Sequence, residues 1–526
     1  MRSTGAKPGV WLLISIVCIN GISVLAAANL DTRRYDNRQL PHLPVGKPLS
    51  LRFRSQIDGS QQPLLMKLPE NYTPDKEWPL LVTLHGLGDG PILAPDIESM
   101  VQIGPYGRGS LWYTGMGEED VLECINFAKQ VLAIDEDRIY LCGFSMGAIG
   151  TFRLGLRYPH IWAACVPVCG RCDDSYSLTN AMHVPFWIHA GSDDAVLSAD
   201  YSRAVYKQTL DKGLADWKYT EHAGMGHSFA VNWPDIEAWL LTKKKVSRPE
   251  HVSCRTKQPG RYYWFELSEL SEFGMIATVD ARVNGPLLEL KTDNVANYTI
   301  FFGDCPVDVS AGVRIVENGK TVFDGKPDRS GYFVKRREHD GPRKHTGRCG
   351  PLWDIYRGPC TLVYGTDSTD KLLVEAARSC AESFSSPPWM GRVTFPVIPD
   401  TRITELQIKD SNLVLFGNAA MNKVLARIAS ELPVVMTPDS ISADGHRFTG
   451  RDIGFVLIYP NPLNNQRYVA VFAGSSADAM NVFDRLWPDF HSPVRDIDAG
   501  VFELVHRDNA VEWKLTRVFG SDWNWR

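Results

Sequence analysis

Residue types and spacing first imply chemistry at Gly143-Phe144-Ser145-Met146-Gly147. A serine with a glycine two residues to either side suits the tip of a sharp strand-to-helix turn. Side chains at the flanking positions would collide with neighbouring backbone, and glycine removes the collision. The helix that follows turns its N–H groups and positive dipole end toward an oxyanion forming beside Ser145. Serine alone is a weak nucleophile, so this chemistry needs a base and an orienting acid, in the chain order Ser, Asp or Glu, His. Ala190-Gly191-Ser192-Asp193-Asp194 and Gly224-Met225-Gly226-His227 supply both in that order. Asp193 is favoured over Asp194, which reads as a turn or capping residue. His227 is favoured over His222, which ends a strand. Ser145 then attacks a carbonyl, His227 carries the proton and Asp193 holds the imidazole tautomer. The second oxyanion donor is expected from His85-Gly86-Leu87-Gly88-Asp89, making the amides of Met146 and Leu87 the pair. His85 reads as structural, since it ends a buried strand.

Positioning these groups takes alternating strands and helices. Leu80–Leu84, Arg138–Cys142, Ala163–Val168, Pro185–His189 and Trp217–Thr220 read as strands. Asp120–Leu132, Ser145–Tyr158, Tyr201–Leu214 and Asp235–Leu241 read as helices. Alternation of this kind predicts an α/β fold, a mostly parallel sheet covered by helices on both faces. Leu84-His85-Gly86, Asp135–Tyr140, the Gly143–Gly147 elbow, Arg157-Tyr158-Pro159 and the Asp193 and His227 loops resemble the α/β-hydrolases. Within these the resemblance is to secreted prolyl-oligopeptidase-like and phospholipase/carboxylesterase-like enzymes, together with feruloyl esterases and polyhydroxybutyrate depolymerases. It spans about residues 50–245 and implies ester or peptide hydrolysis through an acyl-enzyme, with no cofactor and no metal. Ala148 and Ala190 stand where that group often has glycine. Too few residues precede the hydrolase for the β-propeller that gates true prolyl oligopeptidases. An ungated site admits a polymer-linked ester, which favours an esterase over a serine peptidase. A degenerate hydrolase serving as a carbohydrate- or envelope-binding module is the non-enzymatic alternative, and the intact Ser, Asp and His argue against it.

Composition bounds the rest. The 526 residues are 44% hydrophobic and 22% charged, with 56 basic against 61 acidic side chains and a net charge of −5. That balance excludes disordered and polytopic membrane classes and argues against nucleic-acid binding. Arg2 and Lys7, the apolar run from Val10 to Val17 continuing at Ile22–Leu25, and Ala26-Ala27-Ala28 read as a secretory signal over residues 1–28. Cleavage near Ala28 would export the protein to a periplasm or the extracellular space without a permanent membrane anchor, and Asn20-Gly21 interrupts the run that such an anchor needs. The hydrolase is expected over 29–247, a small β domain over 250–335 and a second α/β domain over 345–526, with residues 336–350 forming a basic loop. Tyr262–Phe265 reads as a core strand. Cleavage removes Cys18 and leaves an even number of cysteines. Cys349 with Cys360, and Cys254 with Cys305, are candidate pairs. Cys169-Gly170-Arg171-Cys172 is a C-x-x-C, read as structural and not as redox-active because it follows a strand inside the hydrolase sheet.

Overall fold

The computed structural model describes residues 28–29, 43–214, 216–329, 331–336, 341–387, 390–437, 439–486, 494–505 and 510–526. Residues 1–27 of the expected signal lie outside the described residues. The N-terminal part of the chain is built on one nine-stranded sheet. Its strands are β1 (Ala28–Asn29), β2 (Leu49–Arg54), β3 (Gln61–Lys67), β4 (Trp78–Leu84), β5 (Val101–Pro105), β6 (Ile134–Phe144), β7 (Ala164–Val168), β8 (Phe186–Gly191) and β9 (Trp217–His222). They lie in the order β1-β2-β3-β5-β4-β6-β7-β8-β9. From β5 to β9 every neighbouring pair is parallel, while β3 runs antiparallel to both β2 and β5.

Burial explains the sequence pattern. All seven residues of β4 and all five of β7 are buried, as apolar runs covered on two faces must be. β2 and β3 lie toward the antiparallel edge and alternate buried with more exposed positions. Helices α1 (Met116–Val131), α2 (Met146–Arg157), α3 (Ala199–Asp211) and α4 (Trp233–Leu241) cover the sheet. Ser198 caps α3 by accepting the Asp200 amide, and Trp233-Pro234 opens α4 with proline in its first turn. α1 begins four residues before the apolar period does, because Glu118 is buried there by distant arginines.

Residues 251–335 form a five-stranded and a four-stranded sheet around a separate apolar core. The aromatic run expected as one strand is a hairpin. Gly260–Tyr262 pairs with Phe265–Leu270, Tyr262 opposite Phe265, and Tyr263 turns the corner at φ 55°. All four aromatics are still buried. Beyond it, a seven-stranded mixed sheet begins at Cys360, with a three-stranded antiparallel sheet over residues 434–449. Its strand Asn412–Phe416 leads by way of a turn to the short helix Lys423–Ile428.

All ten described cysteines are free thiols. Neither candidate pair is bonded. The Cys254 thiol faces Tyr262, that of Cys305 the Val307 backbone, that of Cys349 the Gly350 carbonyl, and that of Cys360 lies 3.2 Å from the Ile355 carbonyl.

Candidate active site

Ser145 sits between β6 and α2 at φ 55° and ψ −115°, a conformation that costs a non-glycine residue of order 1–3 kcal/mol. Local contacts enforce it. A Cβ on Gly143 would strike the Gly147 carbonyl, and one on Gly147 would strike the Leu84 carbonyl at the end of β4. The Ser145 amide donates to the Val168 carbonyl at 3.0 Å, and the Ser145 carbonyl accepts from Ala148 and Ile149. The serine is thus raised off the sheet edge and locked from both sides.

His227 joins it from the loop after β9. Nε2 lies 2.9 Å from Ser145 Oγ, and Nδ1 lies 2.8 Å from Asp194 Oδ2. The Phe144 ring packs 5.3 Å from the imidazole, between centroids. The carboxylate that meets the ring is that of Asp194 and not that of Asp193, the residue favoured from sequence. In the turn after β8, the Asp193 amide donates to Met225 and the Asp194 amide to Gly191, so consecutive side chains point opposite ways. Asp193 is exposed and accepts from Ser192 Oγ at 2.6 Å. Asp194 is 6% exposed, and its Oδ1 accepts the amides of Val196 and Leu197, each at 2.8 Å. Its capping role and its contact with the histidine use different oxygens, so one does not exclude the other.

Against Asp194 lies Cys169, the first cysteine of the C-x-x-C. Its Sγ, an Asp194 oxygen and a His227 ring nitrogen lie within 4.8 Å of one another. Among the described residues this is the group of His, Cys, Asp and Glu whose ligand atoms converge, and both histidine nitrogens in it are already engaged. Burial, and then the adjoining Asp194 carboxylate, push the Cys169 thiol up to about 12. It is held as a neutral donor to that carboxylate, not as the thiolate a redox C-x-x-C requires.

His222 turns away, with Nε2 3.1 Å from His189 Nδ1 and its ring against Phe229. His85 is fully buried between the Gly86 and Tyr106 carbonyls, at 2.7 and 2.8 Å, as a structural residue should be. The amide of Met146 is the first of α2, and helix geometry leaves it no carbonyl within the helix. Leu87 lies in the turn closed by the Asp89 amide on the Gly86 carbonyl at 3.3 Å, and Gly86 packs against Phe144.

The glycine-rich stretch Gly104–Gly109 is pinned by buried charges. Arg108 is wholly buried, reaching Asp120 at 3.1 Å, Asp58 at 2.8 Å and Ser55 at 2.7 Å. Asp120 also takes the Gly107 amide at 2.8 Å. Asp58, Arg108 and Asp120 are far apart in sequence, so local pattern does not reveal the tie.

Sheet order, strained elbow and bridging histidine together describe an α/β-hydrolase-like fold. Residues 110–248 match the Dienelactone hydrolase family. A bifunctional acetylxylan esterase/xylanase of Neocallimastix patriciarum is 27% identical over 220 residues, which cover 37% of this chain and 32% of that protein. The chain therefore spans about a third of the length of that curated relative. Among solved structures, a thermostable esterase aligns at 24% identity over 39% of this chain and 65% of its own, with a TM-score of 0.33. A ferulic acid esterase of Anaeromyces mucronatus aligns at 14% identity over 42% of this chain and 98% of its own, with a TM-score of 0.31.

Proposed function

We propose that this protein is an exported carboxylic ester hydrolase that works through a Ser145–His227–Asp194 triad and an acyl-enzyme. The observation that carries the reading is the His227 ring, within hydrogen-bond reach of Ser145 Oγ on one side and of buried Asp194 on the other. Ser145 Oγ attacks the ester carbonyl as His227 Nε2 takes its proton. The Met146 and Leu87 amides receive the oxyanion. Collapse of the tetrahedral species expels the alcohol, which takes the proton from His227. Water then attacks the acyl-enzyme by the same relay and releases the carboxylic acid. Asp194 keeps the proton on Nδ1, so that Nε2 is free to accept. The expected signal at residues 1–28 supports export, and no helix among the described residues is long and apolar enough to cross a membrane.

The acetylxylan esterase relative makes acetyl esters of a polysaccharide the first substrate class to try. The test compares turnover of p-nitrophenyl acetate, acetylated xylan, a feruloyl ester and peptidyl p-nitroanilides. Ester turnover without amide turnover is expected. Faster cleavage of a peptidyl amide than of every ester would replace this reading with a peptidase.

A further inference from the structure

A cavity of about 560 Å³ lies where the catalytic domain, the β domain and the C-terminal domain meet. None of Ser145, Asp194 or His227 lines it. Arg153, Leu156 and Arg157 do, and these end α2, whose first residue follows Ser145. At 1.5 Å per residue, the length of that helix puts Arg157 roughly 18 Å from the nucleophile along its axis.

Its charges are unequal, with six basic side chains and four carboxylates on the wall. All four carboxylates already face an arginine, Asp174 lying 3.5 Å from Arg153 and Asp496 3.7 Å from Arg495. Glu118, 3% exposed, takes Arg157 Nε at 2.6 Å together with the Tyr158 hydroxyl, and lies 3.8 Å from Arg357. Asp354 takes Arg357 Nε and, at 2.5 Å, the Tyr468 hydroxyl. Arg255 and Lys257 remain. Arg255 donates Nε to the Tyr176 carbonyl at 3.0 Å, and Lys257 lies 5.5 Å over the Tyr176 ring. Neither has a carboxylate partner among the described residues. Arg157 spends only its Nε, on Glu118 and Tyr158. Uncompensated guanidinium and ammonium groups in a partly enclosed space attract an anion, and a guanidinium presents paired donors to carboxylate or phosphate oxygens. Tyr176, Tyr262, Phe273 and Trp353 add aromatic faces to the same wall. A volume of this size falls within the range of small-molecule sites.

We propose that this three-domain cavity is a non-catalytic binding site for a sugar that carries a carboxylate or a phosphate group. Arg255, Lys257 and the free edge of Arg157 meet the anionic group, and the aromatic faces meet the C–H faces of the ring. The proposal is independent of the ester-hydrolase reading, since the site shares no residue with the triad.

Calorimetric titration of the full chain at low salt tests it, with galacturonate, glucose 1-phosphate, inorganic phosphate and neutral galactose as separate probes. Binding of galacturonate or of glucose 1-phosphate is expected, and whichever binds identifies the anionic group. Lys257→Gln, at an exposed position, and the double variant with Arg255→Gln should raise the Kd at least tenfold while p-nitrophenyl acetate turnover stays unchanged. The proposal is overturned if neither anionic sugar binds, if galactose or inorganic phosphate binds as tightly as they do, or if Lys257→Gln binds like wild type.

Discussion

Replacing Asp194 by asparagine keeps the shape of the acid and removes its charge, and the structure dictates how the new side chain must sit. Oδ1 of Asp194 accepts two backbone amides at 2.8 Å. An asparagine will keep its carbonyl oxygen there, which turns its NH₂ toward His227 Nδ1. Two donors cannot share that contact, so the imidazole must carry its proton on Nε2 instead. In that tautomer Nε2 cannot accept from Ser145 Oγ, and the nucleophile loses its base. The expected fall in kcat is about 10⁴-fold, or about 5 kcal/mol of transition-state stabilisation. KM should change little, because neither oxygen faces a substrate. The fold should hold as well, with both capping hydrogen bonds retained. Asp193→Asn keeps an oxygen to accept from Ser192 Oγ and loses only a charge at an exposed position, so kcat should stay within about twofold of wild type. Steady-state kinetics on p-nitrophenyl acetate, with a thermal melt of each variant, makes the comparison. Asp193→Asn falling further than Asp194→Asn, or Asp194→Asn staying within tenfold of wild type, would refute the reasoning.

Cys169→Ala removes a donor to the Asp194 carboxylate and should lower kcat about three- to tenfold at constant KM, whereas Cys169→Ser, which keeps a donor, should restore it. Gly147→Ala drives a Cβ into the Leu84 carbonyl, so calorimetry should find it destabilised by about 3 kcal/mol or more, with ester turnover lost in parallel. Glu118→Gln leaves Arg157 and Arg357 facing each other without the buried carboxylate between them, and its unfolding free energy should fall by about 3–5 kcal/mol in denaturant titration. Burial, with Arg261 and Lys245 nearby, holds His160 down to about 4, while burial and then His222 hold His189 down to about 3. Both values lie below the ordinary 6.5, so the stability each contributes is complete above pH 6.5 and is lost as pH falls toward 4 and 3. The Tm should decline over that window, and His160→Gln should flatten the decline by on the order of 3 kcal/mol.

What the sequence conveys best is whatever is enforced locally. The elbow is legible because Gly143 answers to the Gly147 carbonyl four residues on, although Gly147 itself answers to the distant Leu84 carbonyl, and His227 because two glycines mark its loop. The parallel strands are legible because burial on both faces leaves uninterrupted apolar runs such as Leu80–Leu84. Asp194 was missed for a physical reason. Two neighbouring carboxylates on one turn look alike until the turn is closed, and the closing contacts come from Met225 and Gly191. Cys169, Arg108 and the early start of α1 at Met116 were hidden in the same way. Each is set by partners that lie tens to hundreds of residues distant, as with Arg357 on Glu118. The aromatic hairpin misled because its turn is made by Tyr263 and Trp264 and not by the usual glycine or asparagine.

The central claim is that Ser145, activated by His227, is the nucleophile. Incubation with a fluorophosphonate followed by peptide mass spectrometry tests it directly. One phosphonyl adduct on Ser145 is predicted in wild type, with slow labelling in Asp194→Asn and none in Ser145→Ala. Equal labelling of wild type and Ser145→Ala, or an adduct on another serine, would contradict it.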